Sequence, residues 1–167
     1  ASGKLTSKIG VVIATTGPGG TNAIGGVTEA WVDSVPVLIL SGQVNSFQIS
    51  KNVRSFGIQG FNIIENVKNI TKYAVQITNS QDIKYHLEKA IYLANNGRPG
   101  PVWIDIPMDI QAKKINIDNL RCYVPEKIKI DWVKNRTNVN KFIELLKKAK
   151  RPTIVFAERE VERRTQT

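Results

Sequence analysis

The sequence holds one cysteine, Cys122, and one histidine, His86. A single cysteine excludes an internal disulfide framework and a Cys-rich zinc site. A single histidine excludes any site that needs two. No stretch approaches the ~20 consecutive apolar residues of a membrane span. The first residues, Ala1 to Lys8, are polar and hold no apolar core of a secretory signal. These absences leave a reducing, cytoplasmic setting as the expectation. What is present is the profile of a globular protein: 167 residues, 41% hydrophobic and 23% charged. That length suffices for a proper core and fits one domain, or one domain with part of a second.

The net charge of +10 raises the question of a nucleic-acid partner. Its distribution argues against one. Residues 1–120 hold 11 basic and 8 acidic side chains, whereas residues 121–167 hold 13 and 6. The excess sits outside the most patterned part of the chain, without a zinc-finger, RNP or helix-turn-helix signature. Solvated surface charge is the expected role.

Periodicity predicts alternating strands and helices. Gly10 to Ala14 is a short apolar run that ends in a glycine-rich loop. Thr21 or Asn22 can cap a helix reaching Trp31–Asp33. Val35 to Leu40 is a second apolar run, with Pro36 among its first residues, where the missing N–H matters least. Residues 45–60 read as a loop with one helical turn at most. Asn62 to Ile70 reads as a short helix, and Tyr73 to Ile77 as a strand. Ser80 to Asn95 is the clearest helix, with Ile83, Leu87, Ala90, Ile91 and Ala94 at helical spacing and Asn96-Gly97 as its stop. Arg98-Pro99-Gly100-Pro101 then leads into a strand over Val102 to Ile106.

Strands that are apolar throughout belong in a sheet covered on both faces. The predicted fold is therefore α/β: three layers, a mainly parallel sheet and helices on both faces. That domain is expected to span 1–112. Residues 113–137 read as a charged connector. Residues 138–167, with a helix over Asn138–Lys150 and a strand over 153–157, read as the start of a second α/β domain.

The strongest local feature is Thr15-Thr16-Gly17-Pro18-Gly19-Gly20-Thr21-Asn22. A strand, a glycine turn and a helix N-terminus make backbone N–H groups converge. The loop is neither a phosphate-binding P-loop nor Gly-x-Gly-x-x-Gly. By pattern alone, a ligand loop and a sharp structural turn are equally good readings.

Several ordered segments together resemble one family. They are Gly10 to Ile24 (GVVIATTGPGGTNAI), Asp33 to Leu38 (DSVPVL), Ser41-Gly42-Gln43, Gly57 to Ile63 (GIQGFNI), Ile70 to Ala74 (ITKYA) and Gly97 to Gln111 (GRPGPVWIDIPMDIQ). Over about residues 1–112 the chain resembles the N-terminal pyrimidine-binding domain of thiamine-diphosphate enzymes, in the acetolactate synthase-like branch. The helix and strand at 138–157 resemble the start of that family's central domain.

The resemblance implies part of a 2-oxo acid carboligase or decarboxylase that works as a homo-oligomer, at least a dimer. It implies that Thr16, Gly17, Pro18, Gly19 and Asn22 form the cofactor-binding loop for the aminopyrimidine of thiamine diphosphate. Gln43 and Gln59 match glutamines on the substrate side, although Gly60 and Asn62 stand where relatives often have Glu and Asp. Met108 stands where many relatives have Lys. The Mg²⁺ and the diphosphate belong to a different domain in such enzymes, and FAD, where it occurs, is held mostly by the central domain. The family's catalytic glutamate lies upstream of the segment matching Ala1 to Lys4, so no catalytic residue is expected here. Glu29, in the helix after the loop, is not its equivalent. The chain is expected to be incomplete at both ends and inactive alone.

Bland roles are expected for the remaining polar residues. Asp33 reads as a helix-end bond, Asp105 and Asp109 as structural groups at a strand end, and His86 as a side chain on a solvated helix. Cys122 lies in the connector without a nucleophile motif. Gly25, Gly26 and Ala30 make one helix side small, suited to close packing. Two other classes stay open: a non-catalytic binding module with the same fold, and a basic nucleic-acid binder.

Overall fold

A computed structural model describes residues 5–6, 8–49, 54–55, 57–126 and 132–153. Among the described residues, nine regular elements follow in order: β1 (Gly10–Ala14), α1 (Pro18–Val32), β2 (Val37–Gln43), α2 (Ile63–Val67), β3 (Tyr73–Gln76), α3 (Ile83–Asn95), β4 (Pro101–Pro107), α4 (Met108–Gln111) and α5 (Trp132–Lys148). Short 3₁₀ turns lie at Ser46–Gln48, Ile58–Gly60, Lys68–Ile70, Ser80–Asp82 and Ile117–Asn119. The chain divides into two compact units, Ala1–Pro125 and Glu126–Thr167.

In the first unit the strands form one sheet in the order β1-β2-β4-β3, and every neighbouring pair is parallel. The three-layer α/β prediction holds, and all four predicted strands are present within a few residues of their expected bounds. Alternate residues of the central strands serve opposite layers, which is why these strands are apolar throughout. Leu38, Val102 and Ile104 pack with Ala90 and Ala94 of α3. Ile39 and Trp103 pack with Val27 of α1 and with Ile63 and Val67 of α2.

Helix α1 starts at Pro18, earlier than a cap at Thr21 or Asn22 would place it. Proline at the first helical position has its φ already set and has no N–H to leave unpaired. Its N-cap is Gly17, and no side chain caps it; Thr21 Oγ1 instead donates to the Pro18 carbonyl (3.1 Å). Among the described residues of this chain, nothing packs on Gly25 and Gly26 beside Ala30. Ala30 is buried in the core, while a Cβ on either glycine would meet nothing within 4 Å.

The predicted helix at 80–95 begins as a 3₁₀ turn capped by Asn79, whose Oδ1 accepts the Gln81 N–H (3.1 Å). Ile91, expected inward, is exposed. The stop at Asn96-Gly97 stands, with Gly97 at φ 68°. Both long helices of this unit end on cations, as the helix dipole favours. Lys72 Nζ donates to the carbonyls of Leu93 and Asn96, and Arg98 donates to the Val32 carbonyl (3.2 Å) and to Ser34 Oγ (2.6 Å).

In the second unit, α5 begins at Trp132, inside the segment read as a connector. The strand expected at 153–157 falls, apart from Thr153, outside the described residues. No helix among the described residues is long and apolar enough to cross a membrane.

Candidate functional site

The carboxyl ends of parallel strands are where open α/β sheets bind ligands. At that edge, β1 turns through Thr15 and Thr16 into Gly17, whose φ of 61° and ψ of −116° suit only glycine. Gly17 is buried against the 3₁₀ turn at 58–60. A Cβ there would lie 2.5 Å from the Ile58 carbonyl oxygen and 3.0 Å from Gln59 Cα. The chain approaches itself closely here because one residue has no side chain. Exposed Pro18 follows, and the first-turn amides of α1 have no intrahelical partner.

Thr16 ties the loop down. Its hydroxyl proton is shared between the Gln59 carbonyl (2.5 Å) and Gln43 Oε1 (3.2 Å). Gln43 ends β2 and is buried. Its Oε1 also accepts the Val44 N–H (2.9 Å), and its Nε2 donates to the Phe61 carbonyl (3.0 Å) and to Asp105 Oδ2 (3.2 Å). Of the residues singled out from sequence, Thr16, Gly17, Gln43 and Gln59 therefore come together. Pro18 and Gly19 continue the same turn, while Asn22 is exposed one helical turn further on. Gln59 enters the network by its carbonyl, and its side chain is exposed.

Sequence reasoning missed the buried network behind this loop. Sheet register places Ala14, Ser41, Asp105 and Gln76 in one row across the four strands. The Asp105 carboxylate, fully buried, accepts from Ser41 Oγ (2.5 Å), Gln76 Nε2 (2.9 Å) and Gln43 Nε2. Ser41 Oγ in turn accepts the Trp103 indole N–H (2.8 Å). Burial pushes the Asp105 carboxyl above the usual carboxylate range, and its three side-chain hydrogen bonds pull the other way. The only signal in the sequence was an aspartate inside an otherwise apolar strand.

Asp109 holds the neighbouring turn. Its carboxylate accepts the Ser46 N–H (2.8 Å) and Ser46 Oγ (2.7 Å), which hold its carboxyl below the usual carboxylate range. Asp33 is the C-cap of α1, with its N–H on the Glu29 carbonyl (2.9 Å). His86 is half-buried rather than solvated; Nδ1 lies 2.6 Å from the Tyr73 hydroxyl. Cys122 is exposed.

Comparison with known proteins bears on what kind of loop this is. Residues 1–63 match the family described as thiamine pyrophosphate enzyme, N-terminal TPP binding domain. Over these residues the chain is similar to that family's N-terminal domain. Its similarity to curated relatives extends past the matched segment. It is 42% identical over 112 residues to the acetolactate synthase large subunit of Lactococcus lactis, covering 67% of this chain and 19% of that protein. It is 40% identical over 156 residues to that of Buchnera aphidicola from Schizaphis graminum, covering 90% of this chain and 26% of the relative. To the isozyme 3 large subunit of Escherichia coli it is 34% identical over 157 residues, with the same 90% and 26% coverage. The chain thus spans about a fifth to a quarter of the length of these relatives.

The groups around Gly17 are backbone, a hydroxyl and a carboxamide, which are compatible with a flat heteroaromatic ring. Among the described residues no three His, Cys, Asp or Glu side chains converge on a metal position.

Proposed function

We propose that this chain supplies the pyrimidine-side wall of a thiamine diphosphate site in an enzyme of acetolactate synthase-like chemistry, a carboligase or decarboxylase of 2-oxo acids. One observation carries the reading: the uncapped Gly17 turn at the carboxyl edge of the sheet, in a segment that matches a TPP binding domain. Thr16, Gly17, Pro18, Gly19 and Asn22 would hold the aminopyrimidine. Exposed Gln59 faces the substrate side, and buried Gln43 supports the wall from behind. When bound, thiamine diphosphate supplies a carbon nucleophile and an electron sink. This chain's part is to present a rigid backbone surface to the ring and to keep water from one side of it. We place Mg²⁺ and the diphosphate, and any FAD, on domains outside these 167 residues. The basic residues we read as solvated surface rather than a nucleic-acid site.

On this reading the chain alone is inactive, because the charged half of the cofactor has no holder here. One neutral ring contact gives a dissociation constant on the order of 1 mM, about −4 kcal/mol. Thiamine and thiamine diphosphate should then bind equally weakly in calorimetric titrations. Pyruvate consumption with Mg²⁺ and cofactor should match the protein-free control. Turnover, or micromolar affinity for thiamine diphosphate, would show that the diphosphate site is within this chain. No saturable thiamine binding at tens of millimolar would remove the pyrimidine wall itself.

We also propose that the protein self-associates. Among the described residues β1 has β2 on one side and no strand on the other, and Ile13 is 82% exposed and Val11 58%. An apolar open edge invites pairing. The chain is expected to sediment as a dimer or larger at tens of micromolar, and Ile13→Lys to shift it toward monomer. A clean monomer for the unaltered chain would overturn this.

A further inference from the structure

We propose that Asp105 is the positioning residue of this loop: acting through Gln43, it holds the Thr16–Pro18 turn and the Gln59–Phe61 segment against each other. The inference deepens the cofactor-wall reading and rests on it for its functional meaning. Its physical content stands on the hydrogen-bond geometry.

Among the described residues, Gln43 is the only side chain that bonds both segments and the sheet interior. Its carboxamide orientation is fixed by partners with one possible role each. The Val44 N–H can only donate, so the atom 2.9 Å from it is the oxygen. The Phe61 carbonyl, 3.0 Å away, can only accept, so the atom facing it is the nitrogen. That nitrogen has a second proton, and it points into the interior of the sheet. A buried amide proton without an acceptor is costly, which favours rotamers that break the whole set. The Asp105 carboxylate accepts it at 3.2 Å. With the amide pinned in this way, Oε1 remains on the Thr16 hydroxyl, and Thr16 remains on the Gln59 carbonyl.

Asp105 is itself held immobile. Its other two donors, Ser41 and Gln76, sit on the two neighbouring strands in the same register row. Among the described residues no cationic side chain takes part in this set, so the carboxylate's position is set by its donors on β2 and β3. An asparagine could not reproduce it. With its oxygen toward Ser41, its NH₂ opposes the amide nitrogens of Gln43 and Gln76. Turned over, it leaves the Ser41 hydroxyl proton without an acceptor.

The test is hydrogen exchange read by mass spectrometry on the full chain without ligand, with Gln43→Met, Asp105→Asn and the double variant. Methionine keeps the volume of Gln43 and removes the relay. Gln43→Met should speed exchange in segments 15–21 and 57–63 by about tenfold, the size of one lost net hydrogen bond. β4 and α3 should be unchanged. Asp105→Asn should speed the same two segments, and also the Val44 N–H, by about threefold or more. The decisive arm is the double variant: if Asp105 acts through Gln43, those segments should exchange no faster in it than in Gln43→Met. Multiplying effects would reduce Asp105 to general stability and overturn the proposal. Unchanged segments in Gln43→Met would also overturn it, and that variant decides alone should Asp105→Asn fail to fold. No cofactor enters the measurement. Absence of thiamine binding would therefore defeat the functional reading and leave this one standing, and the converse also holds.

Discussion

Replacing Gly17 with alanine is expected to be among the most damaging single-methyl additions this chain can receive. Two costs coincide at that position. The backbone at φ 61° and ψ −116° is one that L side chains rarely adopt, worth roughly 1–3 kcal/mol. The new methyl would also sit 2.5 Å from a carbonyl oxygen of the 58–60 turn, and main-chain atoms cannot rotate aside. The turn itself would have to move, breaking the short bond between Thr16 and Gln59. A melting temperature lower by at least ~5 °C is expected for a chain of this size, with faster exchange at 57–61. Gly57→Ala separates the two costs. Gly57 has a similar φ of 65°, but its Cβ would meet nothing within 4 Å, so it should show the strain alone. Gly25→Ala should go the other way and stabilise by about 0.5–1 kcal/mol, since the site is helical and open. Equal melting temperatures for Gly17→Ala and Gly57→Ala would disprove the collision.

Trp103→Ala is expected to cost about 3–5 kcal/mol of unfolding free energy in urea titration. The side chain is fully buried at the centre of the sheet, against α1 and α2. Its ring lies beside Gly20, where a Cβ would sit in ordinary van der Waals contact, 3.6 Å from Cζ2. Removing it opens a cavity between layers that cannot close without moving two helices. It also leaves Ser41 without the donor that orients its hydroxyl toward Asp105. Trp103→Phe keeps most of the volume and loses the N–H, so about 1–2 kcal/mol is expected. A loss below that in Trp103→Ala would mean the layers collapse onto each other, contrary to the packing described.

The sheet was legible in the sequence because its signals are local. An all-apolar run such as Val37 to Leu40 has one reading in a chain that alternates with helices, and Asn96-Gly97 marks its own turn. The start of α1 was misplaced because two signals competed, and Pro18 prevailed over the Thr21 and Asn22 side chains. The site was legible in part. Glycine at 17 and 19 announced a backbone surface, but what makes Gly17 indispensable is a turn some forty residues away. Gln43 and Asp105, 62 positions apart, meet only because β2 and β4 lie side by side. No periodicity encodes such a meeting. Asp105 read as a strand-end residue because its three donors come from two other strands, β2 and β3, distant in sequence.

The strand order has a consequence for synthesis. β2 cannot receive its second neighbour until β4 has left the ribosome, and Ser41 and Asp105 are 64 residues apart. At ~5–20 residues per second, that interval is on the order of 3–13 s. Throughout it, the nascent β1-α1-β2 piece carries its most apolar strand as an open edge. This delay, set by topology alone, is long enough for a chaperone to engage the growing chain before its centre closes.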